Sequence, residues 1–120
     1  MPFRPEQKVT LHSAAVADAN GQEIECQAIS SIGIQISGTV TTATIYFEGT
    51  INGTDWVALT ATNVATGAVA TSATAAGIWN VPVGAVEKFR ARLDWSAGSV
   101  TVTSRLNKAS GALPYSKVVA

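Results

Sequence analysis

The chain has 120 residues, of which 47% are hydrophobic and 13% charged, and its eight basic and eight acidic side chains balance to zero. That length supports one domain burying roughly two thirds of its unfolded surface, and a charged share about half the usual one leaves a neutral exterior suited to an assembly. The missing basic excess argues against a nucleic-acid partner, one cysteine cannot form an internal disulfide, and nothing reads as a membrane span or signal peptide, so synthesis in a reducing cytosol is expected.

Residues 1–8, with Pro2 and Pro5 among mixed charges, read as an irregular N-terminal arm. A first strand is expected over 8–17, then a turn at Ala19-Asn20-Gly21 and a second strand over 22–30. In the second, Ile24, Cys26 and Ala28 alternate with Glu23, Glu25 and Gln27, the period of two of a half-buried strand. Residues 31–38 repeat the pattern, with Ile32, Ile34 and Ile36 against Gly33, Gln35 and Ser37. Over 42–51, Ile45, Phe47 and Ile51 are placed inward and Thr44, Tyr46, Glu48 and Thr50 outward. Asn52-Gly53 after such alternation is a strong hairpin signal, and 55–64 is the returning strand.

Residues 61–76 are a low-complexity run of Ala, Thr, Val and Gly. Alanine favours helix, but the interleaved Thr, Val and Gly oppose it, and one weak strand is expected over 68–74. A short strand at 78–83 carries Pro82, the mark of a sheet edge or strand end. The clearest strand spans 86–95, with Phe89, Ala91, Leu93 and Trp95 on one face and Lys88, Arg90, Arg92 and Asp94 on the other. A turn at 96–99 containing Gly98 leads to a last strand over 100–106, and 107–120 form a C-terminal arm without a clear period.

About eight short, regularly spaced strands and no helix predict an all-β fold. The expected architecture is a two-sheet β-sandwich over 9–106, jelly-roll-like or immunoglobulin-like, with extended arms at 1–8 and 107–120.

Chemistry is harder to find than architecture. A hydrolytic triad needs a base beside its nucleophile and an acid to orient that base. The one histidine, His12, lies mid-strand, and Cys26 sits on an apolar face, where a small buried side chain is the expectation. Glu48 and Asp55 flank one turn, and Asp18, Glu23 and Glu25 another, with the spacing of turn residues and cross-strand ion pairs. No catalytic group, metal site or cofactor is therefore expected. Asn52-Gly53-Thr54 matches a glycosylation acceptor, but the same residues serve a tight turn.

Three features remain as candidate binding residues. Lys88, Arg90 and Arg92 make a basic stripe on one strand, read first as a solvated face balanced by Glu48 and Asp94 across the sheet and second as a dock for an acidic protein surface. Trp56 and Trp95 are assigned to the core, whereas Trp79, beside Asn80 and Pro82, is the candidate exposed ligand platform. Phe3 and Arg4 in the N-terminal arm, with Leu113, Tyr115, Val118 and Val119 in the C-terminal arm, are apolar or basic enough to grip a partner.

The runs FEGTINGTDWVAL (47–59), GIWNVPV (77–83) and FRARLDWSAGSVTVTSRL (89–106) resemble a pattern of small β-sandwich virion proteins of tailed bacteriophages. In these, a hairpin with an Asn/Asp-Gly turn and a following Trp precedes a Gly-aromatic strand, an aromatic-Arg-x-Arg strand and a Val-Thr-Val strand. The resemblance covers roughly residues 40–106. It implies a non-enzymatic virion structural protein, most plausibly a homo-oligomeric head decoration or cement protein that binds the major capsid protein. The competing expectation is a glycan- or receptor-binding module of a tail fibre or adhesin.

Overall fold

The computed structural model describes residues 7–108. Nine strands follow in chain order: β1 (Gln7–Ala15), β2 (Ile24–Glu25), β3 (Ile29–Thr50), β4 (Val57–Ala58), β5 (Ala61–Asn63), β6 (Val69–Ala70), β7 (Ser72–Ala73), β8 (Gly77–Pro82) and β9 (Lys88–Lys108). The described residues contain no helix, so the all-β expectation holds. Of the expected arms at 1–8 and 107–120, residues 7–8 belong to β1 and 107–108 to β9, whereas 1–6 and 109–120, with Phe3, Arg4, Leu113, Tyr115, Val118 and Val119, lie outside the described residues.

Two separate sheets do not form. All nine strands join one antiparallel sheet, curled into half a barrel, along the path β1-β9-β3-β8-β5-β6. Its spine is the pair β3 and β9, 22 and 21 residues long, hydrogen-bonded from Ile29↔Lys108 to Thr50↔Lys88. Each was expected as two shorter strands, and the expected turn at 96–99 is continuous β-structure. The first strand, β1, pairs with the last, β9, so one edge of the curl is made by the two ends of the described chain.

The spine bends because both strands are irregular at the same place. Val40 pairs with Gly98, Thr42 with Ala97, and Ala43 with Trp95, so an extra residue falls first on β3 and then on β9. A bulge shifts the alternation by one while keeping the same face inward. Burial follows: Ile32, Ile34 and Ile36 give way to Ala43, Ile45 and Phe47, and Phe89, Ala91 and Leu93 to Val100, Val102 and Ser104. Gly38 (φ 99°) and Gly98 (φ 98°) supply backbone conformations that side-chain-bearing residues rarely adopt.

The bend brings the two halves of the sheet together over one core. Phe47 from one half meets Trp79 from the other, ring centroids 5.6 Å apart and tilted by 45°. The far ends also close: Cys26 N donates to Glu87 O (2.8 Å), Ile29 N to Cys26 O (3.0 Å) and Glu87 N to Thr50 O (2.8 Å). Around Asn52-Gly53 the hairpin is wider than a two-residue turn, since its nearest strand pair is Gly49↔Val57. The Asn52 side-chain oxygen accepts from the amides of Thr54 and Asp55 and so holds this loop.

Trp79 is the main reversal. It was expected on the surface, yet it is 8% exposed. Trp79, Val81 and Val83 alternate inward along GIWNVPV, and Pro82 takes an outward position. Ile51, expected inward, is 71% exposed because β3 ends one residue earlier.

Candidate interaction surface

The outward face of the spine gathers charge and aromatic rings by register. Glu48 lies opposite Arg90 and Tyr46 opposite Arg92. The Glu48 carboxylate accepts from both guanidiniums, Arg90 Nε at 2.8 Å and Arg92 Nε at 3.1 Å. Arg90 stacks over Trp56 at 4.2 Å, and Arg92 over Tyr46 at 4.3 Å. Trp56 is therefore half-buried on the outer face, not in the core as expected. Trp95 is half-buried against the core, as expected, and its indole nitrogen donates to Gly98 O at 2.7 Å across the bend.

Lys88 lies 3.7 Å from Glu23 and 3.8 Å from Glu25. The three cations of the expected basic stripe thus face three carboxylates of the same chain. An acidic partner would have to compete with these contacts. The two guanidiniums around Glu48 form a half-buried network, whereas the Lys88 pairs are exposed enough to contribute little.

The remaining candidates for chemistry have structural partners. His12 is 5% exposed, and its Nε2 donates to the Ala91 carbonyl at 2.6 Å. Gly21 lies against that ring, where a Cβ would come within 2.6 Å of Nε2. Asp18 accepts from the Trp95 amide (2.6 Å), and Asp55 from the Asn52 side-chain amide (2.9 Å). Among the described residues no group of three or more His, Cys, Asp or Glu side chains is placed to hold a metal ion.

Cys26 is 4% exposed and its thiol donates weakly to the Ile24 carbonyl at 3.6 Å. Burial, then the charges of Glu25 and Glu87, push its pKa from the ordinary 9.0 up to about 11. Folded protein should therefore resist alkylation at pH 8, reacting freely only when unfolded. Because the folded value is the higher one, the thiol's contribution to stability is intact below pH 9.0 and is lost as pH rises toward 11. Alkylation of folded protein as fast as of denatured protein at pH 8 would contradict this environment.

Two exposed apolar features were not legible as such. Val64 (63%), just after β5, Val69 (63%) on the edge strand β6 and Ile78 (47%) on β8 are exposed. Beside the end of β3, where Glu87 N donates to Thr50 O, a groove of about 530 Å³ is lined chiefly by Gly49, Ile51, Val57, Leu59, Ala85 and Val86. Leu59 and Val86 cover Gly49 there, and a Cβ on Gly49 would come within 2.8 Å of one and 3.0 Å of the other. The low charge content was the only sequence signal for these surfaces.

Comparison with known proteins places this geometry. A family model described as XepA matches residues 5–106. The fold is similar to that of the SPBc2 prophage-derived protein YomS, with a TM-score of 0.80 at 21% identity, covering 88% of this chain and 96% of that one. It is also similar to the PBSX exported protein XepA, with a TM-score of 0.77 at 11% identity. That match covers 88% of this chain but 39% of the XepA chain, so this chain corresponds to less than half of that protein. No curated protein matches the chain.

Proposed function

We propose that this chain, which belongs to the XepA family, is a non-enzymatic structural protein of a bacteriophage particle. In its specific form the proposal is a decoration or cement protein that binds the major capsid protein as a homo-oligomer and stabilises the head lattice. The observation that carries it is the fold shared with a prophage-derived protein along nearly all of that protein's length. Further support comes from a bent sheet whose candidate reactive groups are tied into structural contacts, and from its low-charge exterior with exposed Val64, Val69 and Ile78. Virion localisation and lattice contacts through Phe3, Arg4, Leu113, Tyr115, Val118 and Val119 belong to the same proposal.

The glycan-binding alternative depended on an exposed Trp79, and that ring packs on Phe47 instead. The related XepA is described as exported, which makes release from the cell the outcome to test against. Co-sedimentation of purified protein with particles lacking it is the direct assay. Full-length protein should pellet at a fixed ratio to capsid subunits, and a form ending at residue 108 should bind at least ten-fold more weakly while melting near wild type. Full-length protein that stays in the supernatant would overturn the proposal.

A further inference from the structure

The chain contains two Asn-Gly steps, Asn20-Gly21 and Asn52-Gly53, and all four residues are exposed in connections between strands. This dipeptide cyclises readily, because glycine has no side chain to shield its amide nitrogen from the neighbouring side-chain amide carbon. Exposure does not separate the two steps. Hydrogen bonding does.

At Asn52 both reacting groups are held. The side-chain oxygen accepts from Thr50 Oγ1 (3.1 Å), Thr54 N (2.8 Å) and Asp55 N (2.9 Å), and Nδ2 donates to Asp55 Oδ2 at 2.9 Å. The nitrogen that would attack, Gly53 N, donates to Thr50 Oγ1 at 3.0 Å, and Thr50 is itself buried. Cyclisation there must break these bonds together before a new one forms.

At Asn20 the anchors stop on either side. Ala19 exchanges backbone hydrogen bonds with Leu93 (3.1 and 2.8 Å), and Gln22 N donates to Leu11 O at 3.3 Å. Between them, among the described residues, neither the Asn20 side-chain amide nor the Gly21 N–H makes a hydrogen bond. The fold also demands the labile partner. Gly21 has φ +80°, and a Cβ there would lie 2.6 Å from His12 Nε2.

We infer that Asn20-Gly21 is a site of spontaneous deamidation in the folded protein, and that Asn52-Gly53 is protected. Hydroxide removes the Gly21 amide proton, and the nitrogen attacks Asn20 Cγ. The N–Cγ bond forms, the Cγ–Nδ2 bond breaks, and the amide leaves as ammonia with a proton from water. Water then opens the cyclic imide at one carbonyl or the other, to aspartate or to isoaspartate, with no oxidation or reduction. Either product adds a carboxylate to the cleft of about 350 Å³ that Asp18, Arg92 and Asp94 already line. Isoaspartate also lengthens the backbone by one carbon between the anchors at Ala19 and Gln22, which hold this segment over the His12 ring.

The test incubates full-length protein at pH 8, cleaves it with a glutamate-specific protease and follows amide-to-acid conversion by mass spectrometry. Cleavage after Glu6, Glu23, Glu48 and Glu87 puts Asn20 and Asn52 on separate fragments, 7–23 and 49–87. Conversion at Asn20 should be at least ten-fold faster than at Asn52 in folded protein, and the two rates should converge in urea. As a second measurement, Asn20→Gln, whose longer side chain cyclises far more slowly, should lose most of the isoaspartate that folded wild type accumulates. Equal rates in folded protein, faster conversion at Asn52, a ratio that persists unchanged in urea, or wild-type isoaspartate in Asn20→Gln would each overturn the inference.

Discussion

Truncating Trp79 to alanine is expected to lower the unfolding free energy by about 3–5 kcal/mol, the range for removing a large aromatic side chain from a packed core. Trp79 is 8% exposed and holds the two halves of the curled sheet together through Phe47. Its loss leaves a cavity at that junction and removes a tilted aromatic pair. Trp56→Ala removes a half-buried ring stacked under the Arg90 guanidinium on the outer face, and should cost about 1 kcal/mol. Urea unfolding should give a much lower midpoint for Trp79→Ala at an unchanged slope, and a small shift for Trp56→Ala. The reverse order of midpoints would show that the assignment of inner and outer faces is wrong.

Gly38→Ala should destabilise by about 3 kcal/mol, combining left-handed backbone strain with a steric clash. Gly38 has φ +99°, and a Cβ built there would meet the Ser99 carbonyl oxygen at 2.4 Å. That oxygen belongs to the backbone of the neighbouring strand, so relief requires moving the bend itself. Gly53 provides the control, with φ +82° but no atom within 4 Å of where its Cβ would sit. Gly53→Ala should therefore cost only about 1 kcal/mol, from strain alone. For a domain of this size each kcal/mol lowers the melting temperature by roughly 4–8 °C, so the two variants separate clearly in a thermal scan. Equal melting temperatures would mean that the close approach at the bend is not what demands glycine.

Much of the fold was legible because period-two burial is a local property. Ile32-Ile34-Ile36, Ile45-Phe47, Phe89-Ala91-Leu93 and Val100-Val102 are all buried as their alternation required. The bend was not legible, because a bulge and a turn look alike in sequence. Ser-Ala-Gly-Ser at 96–99 carries turn chemistry, yet pairing with β3 continues through it from Trp95 to Val100. Reading those residues as a turn splits each long strand in two, which creates the impression of two sheets.

Trp56 and Trp79 exchange their expected places for a related reason, whereas Trp95 keeps its own. Trp56 follows a hairpin loop, the usual place for a ring that plugs the core, but it stacks under Arg90 on the outer face. Trp79 neighbours Asn80 and Pro82, whose polarity obscured the inward alternation of Trp79, Val81 and Val83. Glu48 was legible as a counter-charge to the basic stripe, but its bridging of Arg90 and Arg92 at once depends on a cross-strand register spanning more than 40 positions of sequence.

The central claim, that this curled sheet serves as a structural component of a phage head, is tested most directly by cryo-electron imaging of particles made with and without the protein. The account predicts ordered density at repeated sites on the head, fitted by the curled sheet and missing from the deletion particles. Identical particles in the two preparations, with the protein recovered only from the cytosol or the medium, would contradict it.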